Sequence, residues 1–125
     1  MSNDTRIIHE LECIVGDMYV IHKPEDLIVF EYDASVDKAM PLAVVVPSST
    51  EDVSRTITVA RRHGLPIVAR GAGTGLSGGA IAHEGGIVIA LTRMTRILDV
   101  DVENRVAVVE SGVVNLKLSE HVARY

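Results

Sequence analysis

The 125-residue sequence contains one cysteine, Cys13. A single thiol builds neither an internal disulfide framework nor a cysteine-cluster metal site, and it fits a reducing compartment. Long apolar runs are missing too: nothing approaches the roughly 18 consecutive apolar residues of a membrane-crossing helix. The opening MSNDTRIIHELECIVGD mixes acids among its apolar residues, unlike the unbroken apolar stretch of a secretory signal. These absences predict a cytoplasmic protein without a transmembrane segment. Basic charge is scarce: 12 Lys and Arg against 17 Asp and Glu leave a net charge of -5. No broad basic face is therefore expected for nucleic acid, and any phosphate would be bound locally. Internal repeats and low-complexity tracts are also lacking. What remains, 47% hydrophobic and 23% charged, suits one globular domain. At this length such a domain buries roughly two-thirds of its unfolded surface.

The chain punctuates itself clearly at several points. Asp4 or Thr5 is placed to cap a helix whose apolar residues Ile7, Ile8, Leu11, Ile14 and Val15 recur at helical spacing, with Gly16 ending it. Pro24 can start a short helical turn, whereas DLIVFEYDAS reads equally as helix or strand. The run Leu42 to Val46, stopped by Pro47, predicts a strand buried on both faces. SSTEDVSRTITVARRHG then opens with Ser48 or Ser49 as cap, carries Glu51 and Asp52 at the positive helix end, and closes on Arg61, Arg62, His63 and Gly64. Its expected inward stripe is Val53, Ile57 and Ala60. LPIVAR predicts a second buried strand, making residues 42–70 a βαβ unit with a right-handed crossover. GGIVIAL predicts a third strand, RILDVD and RVAVVESG a hairpin turning at Glu103 to Asn104, and NLKLSEHVARY a helix capped by Asn115.

Between the second and third strands lies RGAGTGLSGGA, with five glycines from Gly71 to Gly79. Glycine admits positive φ and close backbone approach, so successive N–H groups can converge on an anion such as a pyrophosphate. Thr74 and Ser77 add hydroxyl donors, and Arg70 suits the loop's own architecture or a phosphate. The loop leaves the carboxyl end of a parallel strand, where open sheets offer ligands a crevice. A Walker A loop needs a lysine where Gly79 stands, so that reading fails. Gly73, Gly75 and Gly78 do satisfy G-x-G-x-x-G, but a dinucleotide fingerprint requires a helix opening inside the motif, and the pair Gly85-Gly86 argues against one at Ala80 to Glu84.

Elsewhere no catalytic acid or base stands out. His9, His22, His63, His83 and His121 are scattered without metal-ligand spacing. Asp99 and Asp101 share a strand face beside a turn, where acids are usually solvated. Arg93 and Arg96 read as an exposed connection or as residues approaching an anionic cofactor.

From Tyr32 to Tyr125 the sequence resembles the FAD-linked oxidoreductases of the vanillyl-alcohol oxidase and p-cresol methylhydroxylase (PCMH) type, especially glycolate oxidase flavin subunits and D-lactate dehydrogenases. The carriers are YDAS, PLAVVVPSSTEDV, GLPIVARGAGTGLSGGA, GGIVIALTRMTRILDVD and VESGV, in that family's order and spacing. The resemblance implies an α/β (α+β) fold: a βαβ core with a mixed sheet, the N-terminal half of a PCMH-type FAD-binding domain. Residues 1–40 would be a helical lead-in and residues 41–125 the N-terminal part of the FAD-binding domain, with the substrate domain absent. It implies a cofactor site at Pro47, Arg70, Gly71, Ala72, Gly73, Thr74, Gly75, Leu76, Ser77 and Gly78, with backbone N–H groups around the FAD pyrophosphate and Pro47 closing one side. Some relatives carry histidine at the position of Thr74 and bond the flavin covalently; threonine cannot, so FAD here is expected to be non-covalent.

Ser111 stands where the family has proline, a change that touches only local turn stiffness. Further flavin-contacting segments of the family are not in this sequence, which therefore reads as a fragment. The implied function is the FAD-binding segment of a FAD-dependent 2-hydroxyacid dehydrogenase or oxidase, with glycolate, lactate and longer hydroxyacids all open as substrates. The alternative is a truncated or partner-dependent nucleotide-binding module without catalytic activity, completed by the remainder of the flavin domain or by a separate subunit. In either case weak FAD binding by the chain alone, or none, and an exposed apolar patch are expected.

Overall fold

The computed structural model describes residues 1–28, 39–72 and 83–125. Helix α1 (Asn3–Val15) is capped by Ser2, whose side chain accepts from the Thr5 N–H at 3.2 Å. The cap thus lies ahead of the Asp4 or Thr5 expected from sequence, because Asp4 is already inside the first turn, where its charge suits the helix dipole. Gly16 ends the helix at φ 93°, its N–H donating to the Glu12 carbonyl at 2.8 Å. A single 3-10 turn (Asp17–Tyr19) leads into the short strand β1 (Val20–Ile21), and Pro24 opens the one-turn helix α2 (Pro24–Leu27). The undecided stretch beyond Ile28, including YDAS, lies outside the described residues.

Strand β2 (Ala43–Val45), helix α3 (Thr50–Arg62), strand β3 (Ile67–Arg70) and strand β4 (Ile87–Ala90) form the central unit. The sheet order is β1-β2-β4-β3, with β2, β4 and β3 parallel and β1 antiparallel. The mixed sheet expected from the sequence is therefore present. The strands joined by α3 are not neighbours, however, because β4 inserts between them.

That insertion explains a correction. LPIVAR was expected to be buried, yet β3 sits at the sheet edge with Ile67 38% exposed. The central position belongs to β4, all four residues of which are buried, and a period-2 apolar pattern cannot distinguish the two.

Alternate residues of the strands feed two cores. Ala43, Val45, Ile87 and Ile89 meet Ile7, Ile8 and Leu11 of α1 and Val59 and Ala60 of α3. On the other face Val44, Val88 and Ala90 pack with Leu27. Full burial of each branched side chain contributes about 1.5–3 kcal/mol. The two helices are also tied by charge: Glu10 accepts from Arg62 Nη2 at 2.8 Å and lies 3.2 Å from His63 Nε2.

In α3 the inward residues are Thr56, Val59 and Ala60, with Val53 half-buried. Ile57, expected inward, is 39% exposed. Its spacing from Val53 and Ala60 is correct for a helix face, but the buried stripe is rotated toward a threonine that an apolar count overlooks.

Beyond β4, strands β5 (Ile97–Asp101) and β6 (Val106–Val109) form a separate antiparallel hairpin. Its turn is where the sequence placed it, with the Asn104 N–H and side-chain amide both donating to Asp101, and Arg105 taking the left-handed φ of 57°. Helix α4 (Asn115–Val122) follows, preceded by Val114 with no side-chain cap, so Asn115 is the first helical residue and not the expected cap. Hairpin and helix leave Leu98, Val106, Val108, Val114 and Leu116 exposed.

Candidate functional site

Because β2, β3 and β4 are parallel, their carboxyl ends share one edge. The register pairs Val45 with Ile89 and Ile89 with Ala69, so the three strands run in step toward that edge, with Val45 two residues before Pro47 and Ala69 two before Gly71. The Leu91 N–H extends the ladder by donating to the Arg70 carbonyl at 2.8 Å. This edge is the crevice side of an open parallel sheet.

Of the ten residues expected at the cofactor, Pro47, Arg70, Gly71 and Ala72 are described, and all four belong to this edge. Pro47 is fully buried, Arg70 is half-buried, and Gly71 and Ala72 are exposed. Gly73, Thr74, Gly75, Leu76, Ser77 and Gly78 lie outside the described residues, as does most of the Ala80 to Glu84 segment on which the dinucleotide-fingerprint alternative depended. Glu84 and Gly85, at the end of that segment, form a turn with Gly85 at φ 70°.

The fit of a large anionic ligand can be judged at Gly71. A Cβ placed there meets no described atom within 4 Å, so the side-chain position of Gly71 at the end of β3 is open. The start of α3, on the same edge, is different: Asp52 Oδ2 accepts from the Ser48 N–H at 3.3 Å and from its hydroxyl at 3.2 Å, while Ser49 Oγ accepts from the Asp52 N–H at 3.1 Å. That helix terminus is capped by its own acid. Room beside the backbone is therefore found at Gly71, and not at the start of α3.

The two arginines considered for the site take other positions. Arg93 is half-buried, so it is not part of an exposed connection; its guanidinium lies 3.4 Å from the Tyr19 ring centre, and Nη1 donates to the Val46 carbonyl at 3.0 Å. Arg96 is exposed and forks onto Glu110, donating from Nε at 3.0 Å and Nη2 at 2.9 Å. These hydrogen bonds hold the Glu110 carboxyl below the usual range and raise Arg96. Asp101 is lowered by the Asn104 side chain and then by its N–H. No local pattern signals the Tyr19 contact, since 74 positions separate the two residues.

Residues 41–125 match the family described as FAD binding domain. The chain belongs to that family. It is 39% identical over 120 residues to the glycolate oxidase subunit GlcD of Escherichia coli (strain K12), which covers 95% of this chain and 24% of the relative. It is 44% identical over 123 residues to the D-lactate dehydrogenase of Archaeoglobus fulgidus, covering 94% of this chain and 26% of the relative. Among solved structures, p-cresol methylhydroxylase superposes with a TM-score of 0.84 at 20% identity, covering 99% of this chain and 25% of that one. The 4-ethylphenol oxidase of Gulosibacter chungangensis gives a TM-score of 0.84 at 28% identity, with the same coverage. The fold is thus that of PCMH-type FAD-binding domains, and FAD is the cofactor of the family. The chain spans about a quarter of the length of the relatives it matches.

A second concavity, of about 470 Å³, lies between the hairpin and α4, lined by Val100, Val106, Leu118, Val122 and Tyr125 among others. None of its lining residues belongs to the carboxyl edge.

Proposed function

We propose that this chain is the pyrophosphate-binding part of a FAD-dependent 2-hydroxyacid dehydrogenase or oxidase of the glycolate or D-lactate type. Residues 1–40 act as a lead-in that supplies α1 and α2 and also the sheet strand β1, and residues 41–125 as the N-terminal part of the FAD-binding domain. The observation that carries the reading is Gly71 at the open carboxyl end of β3, leading into the glycine-rich loop. Similarity to glycolate oxidase subunit GlcD and to D-lactate dehydrogenase supports the substrate class.

In this reading Gly71, Ala72, Gly73, Thr74, Gly75, Leu76, Ser77 and Gly78 hold the pyrophosphate, largely through backbone N–H groups. Pro47 closes one side of the cleft, and Arg70 fixes the base of the loop. FAD, when bound, supplies a hydride acceptor for the carbinol carbon of the substrate. The chain's own residues bind and orient the cofactor; none of them is assigned a proton-transfer role. With threonine at position 74, binding is non-covalent. The lone, exposed Cys13 supports a cytoplasmic setting.

A second reading is that the chain is a nucleotide-binding module without activity of its own, completing its site against further flavin-domain sequence or a separate subunit. The exposed Leu98, Val106, Val108 and Leu116 favour it. Both readings place FAD at the same edge, and both expect weak binding by the isolated chain, because a large cofactor needs walls on both sides.

The test is an amide NMR titration of the 125-residue chain with FAD up to millimolar concentration, alongside a Gly73→Val, Gly75→Val double variant. Saturable shifts centred on Gly71 and Ala72 that the folded variant loses support the cradle. Shifts that survive in the variant, or none in the wild type, refute it.

A further inference from the structure

The β2 ladder ends at Val45, paired with Ile89, yet the next residue is held firmly. Val46 precedes Pro47, and both its backbone groups are engaged. Its N–H donates to the Tyr19 carbonyl at 2.9 Å, and its carbonyl accepts from Arg93 Nη1 at 3.0 Å. The circuit closes through the side chains, since the Arg93 guanidinium lies over the Tyr19 ring at 3.4 Å. Three segments distant in sequence therefore meet at one residue: the 3-10 turn before β1, the end of β2, and the connection after β4.

Arg93 is itself set in place. The Met94 N–H donates to the Leu91 carbonyl at 3.0 Å, Met94 is 4% exposed, and the Gly112 N–H donates to the Met94 carbonyl at 2.8 Å. The guanidinium is thus presented by a turn anchored on both sides. Stacking and in-plane donation at once require a planar cation, which lysine does not supply.

We propose that Arg93 and Tyr19 form a clamp that positions the Val46–Pro47 wall of the FAD site. Arg93 is then a positioning residue for the cofactor, not a phosphate ligand. The proposal rests on the reading of Pro47 as one side of the cofactor cleft. A wall displaced by about 1 Å is enough to weaken a preorganised site strongly.

The experiment compares FAD affinity, by the same NMR titration, in wild type, Arg93→Ala, Arg93→Lys, Tyr19→Leu and Tyr19→Phe, at a temperature where thermal melts show each folded. Arg93→Ala, Arg93→Lys and Tyr19→Leu should weaken FAD about tenfold, while Tyr19→Phe, which keeps the ring, should bind as wild type does. The Arg93→Ala, Tyr19→Leu double variant should be no weaker than its worse single parent, because the two side chains act as one unit. If Arg93→Ala fails to fold, Arg93→Lys and the Tyr19 pair carry the test. Unchanged affinity in the folded Arg93 variants overturns the clamp and leaves the cofactor reading intact, as does equal loss in Tyr19→Phe and Tyr19→Leu. No binding by the wild type overturns both.

Discussion

Gly112 packs so tightly beneath Leu91 that a Cβ at position 112 would overlap the Leu91 carbonyl. The contact joins the end of β6 to the end of the central strand, and it is local steric exclusion, not a positive φ, that demands glycine here. Gly112→Ala must push the two backbones apart. We expect a loss of about 1–3 kcal/mol, the range for overpacking, or failure to fold. Urea denaturation of the variant against Ser111→Ala, an exposed neighbour, checks this; equal midpoints would remove the claim.

The hairpin carries a pH dependence whose sign is fixed. Glu110 and Asp101 both have carboxyls lowered in the folded chain, the first by Arg96 and the second by Asn104. A group whose folded value is depressed contributes stability above its unfolded value and loses it as the pH falls through the folded one. The stabilisation is therefore complete at neutral pH and fades below about pH 4. Arg96, which is raised, stays charged throughout that window. Because Arg96 is exposed, the effect is small and salt-sensitive. Glu110→Gln should flatten the acid limb of a pH-denaturation curve read by circular dichroism, and an identical limb in the variant would contradict the assignment.

Capping is a cleaner test of local sequence logic. Ser49 accepts from the Asp52 N–H at 3.1 Å, and Asp52 returns to Ser48 and not to Ser49. Ser49→Ala should cost about 1 kcal/mol in thermal or urea unfolding, whereas Thr50→Ala, inside the first turn, should cost much less. Equal costs would show that the cap is not what starts α3.

Helix α3 also shows what a sequence conceals. Its ends were legible because caps, charges and Gly64 act within a few residues. Its buried face was not, because Thr56 is fully buried and Ile57 is partly exposed, against hydropathy. Val59→Ala is accordingly expected to cost about 2 kcal/mol and Ile57→Ala under about 1 kcal/mol, in denaturant melts of the two variants. The reverse ranking would restore the stripe read from spacing.

The same division runs through the candidate site. Strand existence, the hairpin turn and the glycine-rich loop follow from neighbouring residues and were readable. The insertion of β4 between β2 and β3 was not, since β2, β3 and β4 all look apolar and only long-range pairing decides which becomes the edge. Likewise no local pattern ties Arg93 to Tyr19, and the sequence leaves Arg93 open as an exposed residue or a cofactor contact. The family resemblance names the pyrophosphate loop; the fold adds that β2, β4 and β3 bring Val45, Ile89 and Ala69 in register toward its base.

The most direct measurement separates the parts of the cofactor. Amide shifts of the 125-residue chain would be followed during titration with ADP, which carries the pyrophosphate, and with riboflavin, which carries only the flavin. Binding at the carboxyl edge through the pyrophosphate requires ADP to move Gly71 and Ala72 saturably while riboflavin leaves them in place. Equal shifts from riboflavin, or ADP shifts confined to the cleft between the hairpin and α4, would contradict it.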